Sequence, residues 1–208
     1  MAAILILVSG LVASDQFKQQ TLFNKASVLG GYIGPTSFIG TINDKYAVYT
    51  GGSIALLMNH RVIIGLTGYG LVNGVDISIE GTQDDSTRYL EMGYGGLEFG
   101  YVVAPSQLIH IRVSSLFGIG GMGSHTRYRW HANWNEDWDN DWEDDWDMYK
   151  DVFFVVQPAI MFELNVAKFC RIDVGATYRY MSGFEFERLK TGDLDGVAIM
   201  TSINFGFY

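Results

Sequence analysis

The chain has 208 residues, with 25 glycines, three prolines, one cysteine, 14% aromatic residues and a net charge of −9. That length suits one domain, and that composition suits strands and turns better than a helical soluble enzyme. Residues 131–147 hold eight acids and no lysine or arginine, so the remaining body is nearly neutral, and with no basic face to displace counterions from phosphate a nucleic-acid partner is excluded.

The N-terminus reads MAAILILVSGLVASDQ. Its apolar run, residues 2–13, is too short for a membrane helix, which needs about 20 residues. It matches the apolar region of a signal peptide, with Val12, Ala13 and Ser14 offering a cleavage point. Residues 1–14 are therefore read as a signal peptide, truncated or atypical because the usual basic start is missing, and residues 15–26 as an N-terminal segment. The alternative is a buried N-terminal strand or helix. No other run approaches a membrane helix, so a membrane location requires a barrel.

From residue 27 onward the chain breaks into alternating segments separated by turn signals, and a period of two means strands. Eight segments follow in order: 27–39, 45–58, 62–77, 88–103, 108–125, 149–164, 170–184 and 196–208. The third and fourth are blurred by Gly65, Gly68, Gly70, Gly93, Gly95 and Gly96, which suggest bulges or tight bends. The fifth is clean, with Ile109, Ile111, Val113, Phe117 and Ile119 opposing His110, Arg112, Ser114, Gly118 and Gly120. In the sixth, Val152, Phe154, Val156, Pro158, Ile160, Phe162 and Leu164 oppose Asp151, Gln157, Ala159 and Glu163. The seventh sets Ile172, Val174, Ala176, Tyr178 and Tyr180 against Arg171, Asp173, Gly175, Thr177 and Arg179. The eighth sets Val197, Ile199, Ile203, Phe205 and Phe207 against Ala198, Ser202, Asn204 and Gly206.

The second face decides between a soluble sandwich and a membrane barrel. Facing bulk water it would be rich in lysine and glutamate. Here it holds small residues plus charges of both signs, which fits the inside of a narrow closed tube where opposite charges pair. The segments also have the 9–11 residues or so that a spanning strand needs. Short connections at 59–61, 104–107 and 165–169 alternate with longer ones at 81–87, 126–148 and 185–195; the first connection, 40–44, is too short to assign. The predicted fold is all-β, an eight-stranded antiparallel up-and-down transmembrane β-barrel occupying residues 27–208, greasy outside and polar inside. Glu98, Arg112, Glu163, Arg171, Asp173 and Arg179 form its expected interior charge network.

Over residues 27–208 the chain resembles the small eight-stranded outer-membrane barrels typified by outer membrane proteins A and X. Within that group GYGGLEFGY at 93–101, HIRVSSLFGIGG at 110–121 and the final NFGFY resemble uncharacterised barrel proteins of Bacteroidota. The resemblance implies the outer membrane of a Gram-negative bacterium, outer-membrane lipid as the surrounding medium, and recognition of NFGFY by the barrel insertion machinery. The usual insertion signal ends in the outward phase, whereas here that phase ends on Phe207 and Tyr208 falls out of step.

No catalytic residues are assigned. Ser124 and His125 invite a nucleophile and base reading, but adjacent strand residues point to opposite faces. His110 lies in the inward phase beside Arg112, where an internal hydrogen-bond partner is its expected role, and His60 lies in a short turn. An eight-stranded interior is filled by side chains, which argues against a pore. An acyl-transferring enzyme of this size needs an apolar interior slot, and the charged interior offers none evident. The chain is read as non-enzymatic, with no cofactor and with a structural or surface-interaction role through its outer loops. A lipid-modifying enzyme and a cation-binding surface protein are the alternatives.

The long connection 126–148 contains NWNEDWDNDWEDDW, and all five tryptophans, Trp130, Trp134, Trp138, Trp142 and Trp146, recur every fourth residue. A helix of 3.6 residues per turn smears that spacing around its axis. Three readings stand. Asp137, Asp139, Asp141 and Glu143 present alternating oxygens for calcium or another hard cation. The tryptophans and acids form a sticky surface for an extracellular protein, a glycan or a cationic peptide. Or the loop is a disordered hydrophilic spacer.

Overall fold

The computed structural model describes residues 28–42, 44–76, 87–127, 151–184 and 192–208. Its strands are β1 (Leu29–Ile42), β2 (Lys45–Met58), β3 (Val62–Leu71), β4 (Val75–Asp76), β5 (Thr87–Val103), β6 (Ile109–Arg127), β7 (Asp151–Ala167), β8 (Cys170–Ser182) and β9 (Gly196–Phe207). Each pairs antiparallel with its neighbours, and β1 pairs with both β2 and β9, so the sheet closes on itself. Since β3 and β4 both pair with β5 as successive pieces of one stave, the nine strands make an eight-stranded barrel.

Alternation places the side chains. Ile199 is 71% exposed and Met200 beside it 5%; Phe154 is 64% exposed and Phe153 fully buried. Such an apolar outer wall around a closed ladder is unfavourable in water, at roughly 25 cal/mol per Å² of apolar surface, and favourable in lipid. Among the described strands, closure leaves no open sheet edge for the bilayer to solvate. With its polar interior belt, the barrel has the anatomy of an outer-membrane protein and belongs in that membrane.

The short connections at 59–61, 104–108 and 168–169 lie at one end, and the short link from β1 to β2 lies at the other. Between β2 and β3, Asn59 (φ 51°) and His60 (φ 59°) are both left-handed and the Arg61 N–H donates to the Met58 carbonyl at 3.0 Å, a tight turn within the three-residue connection 59–61. At the opposite end emerge the connections that contain residues 77–86, 128–150 and 185–191.

Four sequence expectations are corrected. β1 runs to Ile42, not 39, where it pairs with Lys45 of β2; Ile42 is an apolar residue in the inward phase, which blurred the end of the strand. The third strand is not continuous over 62–77 but breaks between Leu71 and Val75. The glycines expected to bulge sit in ladders without register shifts, since β3 follows β2 and β5, and β5 follows β6, one residue for one. Gly68 and Gly95 are lateral partners, as are Gly70 and Gly93, so the missing side chains smooth the wall where bends were expected. A register shift lies at Asn165–Ala167 between β7 and β8, and on the third stave two extra residues lie beyond the glycines, between the Gly70–Gly93 and Val75–Leu90 pairs.

The fourth correction concerns the interior, which is not polar throughout. Toward the long connections it is an apolar and aromatic plug of Phe38, Tyr49, Tyr94, Phe153, Met161 and their neighbours. Phe38 stacks on Tyr49 at 4.5 Å between ring centroids, and edge-on contacts continue through Tyr69 and Tyr94 to Phe153. A smaller apolar group, Tyr32, Ala55, Leu57, Ile63 and Val102, lies toward the short turns with Tyr208 packed against it. The charged belt is held between the two.

Candidate functional site

The belt is built from inward residues of β5, β6, β7, β8 and β9, and Arg112 on β6 is its centre. Its Nη2 donates to Asp173 Oδ2 at 2.8 Å, and its Nη1 donates to the Tyr32 hydroxyl at 3.0 Å and lies 3.6 Å from Glu98 Oε1. Nε is 3.0 Å from Glu163 Oε1, close enough for ion pairing but out of line for a hydrogen bond. Glu163 also meets Arg171 Nη1 at 3.4 Å and His110 Nε2 at 2.8 Å. Glu98 accepts from Thr67 at 2.6 Å, and Asp173 from Ser202 and Asn204 at 2.7 and 2.6 Å. All three carboxylates are buried. Charges so desolvated survive only when paired and hydrogen-bonded, and each of these is.

Arg179 stands apart from that cluster. Its Nε and Nη2 both donate to the Leu194 carbonyl, at 3.0 and 2.8 Å, and its guanidinium lies 4.5 Å from the Tyr49 ring centroid. It pins the approach to β9 over the plug, with Leu194 and Phe184 buried beside it. Tyr208, out of the outward phase, turns to the short-turn mouth, where Arg171 lies 3.7 Å from its ring centroid and Tyr32 stacks on it at 6.1 Å.

Two polar side chains of the belt act as cross-links. Both ring nitrogens of His110 face oxygens, Glu163 Oε2 at 2.8 Å and the Gln107 carbonyl at 3.2 Å, so the ring bridges a turn to β7. The Ser202 hydroxyl is spent on Asp173.

Trp130, Trp134, Trp138, Trp142 and Trp146, with Asp137, Asp139, Asp141 and Glu143, lie outside the described residues, as do residues 1–27 with the expected signal peptide. The connection carrying the tryptophans leaves β6 after Arg127 and enters β7 at Asp151.

The residues overlooked in the sequence are Thr67 and Tyr32, which complete the belt, and, in the plug, Tyr94 and the inward apolar set Phe153, Val155, Met161, Met181 and Met200. Counting by twos from Gln157 reaches Phe153 and Val155, and counting from Ser202 reaches Met200, so the signal was present in the phase although absent from the polarity.

No family model and no curated protein matches the chain. Solved structures that it is similar to include the outer membrane protein OprG from Pseudomonas aeruginosa, at 8% identity over 86% of this chain and 96% of that one with a TM-score of 0.49. Neisserial surface protein A follows at 7% identity over 86% and 97%, with a TM-score of 0.48. The attachment invasion locus protein Ail of Yersinia pestis is 13% identical over 86% and 97%, with a TM-score of 0.44. These are small eight-stranded outer-membrane barrels, and the likeness is one of chain path alone.

Proposed function

We propose that the chain is a non-enzymatic outer-membrane protein that acts at the surface of a Gram-negative bacterium through its long connections, with residues 126–148 as the binding element. The observation that carries this is the filled interior. An aromatic plug and an ion-paired belt occupy the lumen, and the belt cavity has a volume of about 20 Å³, far below the 300 Å³ or more of a ligand pocket. With the lumen occupied, function falls to the rims. At one rim emerges the connection holding every tryptophan and eight of the acids; tryptophan anchors interfaces and stacks on sugars and cations.

Its partners on this view are outer-membrane lipid around the wall, the insertion machinery at NFGFY during assembly, and an extracellular protein or glycan at the loop. Residues 1–14 serve as the export signal. The test is a binding screen in lipid nanodiscs, on glycans and cationic peptides, comparing the intact protein with one lacking residues 130–147. Binding that disappears with the loop while the strand spectrum persists is the expected result. An unchanged profile, or turnover of added lipid by the intact protein, overturns the proposal.

A further inference from the structure

Between belt and plug lies a cavity of about 20 Å³, lined by Thr36, Ser53, Thr67, Glu98, Arg112 and Gln157 among others. A buried water needs roughly 10–15 Å³ and two to four polar partners, so the volume admits one. Gln157 is 3% exposed; its Oε1 accepts from the Tyr94 hydroxyl at 2.7 Å, while its Nε2 has no hydrogen-bond partner among the described residues. Leaving a buried amide donor unmatched is costly, and this one lines the cavity. If the amide is turned over, Tyr94 donates or accepts equally well and the oxygen becomes the unmatched atom. Either way one amide atom faces the space.

Across the cavity, Glu98 Oε1 and Arg112 Nη1 are 3.6 Å apart, too far for a direct hydrogen bond. An occupant must accept from an amide or guanidinium and donate to a carboxylate. A metal cation is repelled by the Arg112 charge and the amide hydrogens, and a halide by Glu98. Water does both.

We propose that this cavity binds a single water molecule as a fixed member of the barrel interior. It joins Glu98 and Arg112 to Gln157, completing a hydrogen-bonded path from Thr67 through Glu98, the water and Gln157 to Tyr94. Belt and aromatic plug then form one unit.

A crystal structure of the intact protein, at a resolution that shows ordered water, tests this directly. The expected result is one peak within about 2.7–3.2 Å of the Gln157 amide, and in solution a long-lived water giving a nuclear Overhauser contact to that side chain. In Gln157→Leu both signals are lost. No peak in the intact protein where the surrounding side chains are ordered overturns the proposal, as does a bromide anomalous peak at that point or a peak unchanged in Gln157→Leu. The intact protein decides the matter even if the variant fails to fold.

Discussion

Arg112 on β6 reaches past β7 to Asp173 on β8, its Nη2 donating to Oδ2 at 2.8 Å, and the same guanidinium faces Glu163 on β7 and Glu98 on β5. One side chain thus braces carboxylates from three strands. Arg112→Met leaves those carboxylates without their central cation and is expected to destabilise the barrel by about 3–5 kcal/mol, read from urea unfolding in phospholipid vesicles. Arg112→Lys, a point charge without the planar fork, falls between. Adding Glu163→Gln and Asp173→Asn to Arg112→Met recovers part of the loss, because the stranded charges go with the cation. A loss below about 1 kcal/mol for Arg112→Met, as for an exposed ion pair, would show that the belt is not a brace.

Arg179 predicts a local effect. Two of its nitrogens satisfy the Leu194 carbonyl, so Arg179→Met leaves that buried oxygen unmatched, at about 1–3 kcal/mol. Amide exchange over residues 192–195 should accelerate while the centre of β7 stays protected. Uniform acceleration around the whole barrel would contradict a pin confined to this connection.

Two glycines of the blurred strands should behave oppositely. A Cβ at Gly96 collides with the Phe117 carbonyl oxygen, a backbone atom that cannot step aside, whereas at Gly70 nothing lies within 4 Å. Gly96→Ala should therefore lower the folded yield sharply, as read by the heat-dependent gel shift, and Gly70→Ala should stay within about 0.5 kcal/mol of the parent. Equal tolerance would mean that the close approach of β5 to β6 is wrong.

The outer wall makes a third kind of claim. Ile160, near the middle of β7, is 56% exposed, and Ile160→Arg puts a charge into hydrocarbon at about 2–4 kcal/mol. Unfolding in vesicles reads that loss, and a surface change that left stability untouched would argue that this wall faces water.

The sequence revealed some layers and hid others for physical reasons. β8 and β9 were legible because Arg171, Asp173, Thr177, Ser202 and Asn204 mark the inward phase with polar residues, although Met181 and Met200 in the same phase carry no such mark. The plug was not, because Phe153, Val155 and Met161 are apolar residues in the inward phase of β7, and where both phases are apolar, polarity carries no phase information. Alternation reports which face a charge takes, while its partners depend on height along the barrel, which only register supplies. Arg179 lies six residues from Asp173 on β8, roughly 20 Å along a strand, and so belongs with Leu194 and Tyr49, not with the cluster around Arg112.

An aromatic plug and an ion-paired belt fill the lumen among the described residues. Planar-bilayer recording of the intact barrel tests that most directly. The expected protein inserts, by its gel shift and strand spectrum, yet yields no resolved conductance steps; discrete, long-lived open levels from the intact chain would contradict a filled lumen.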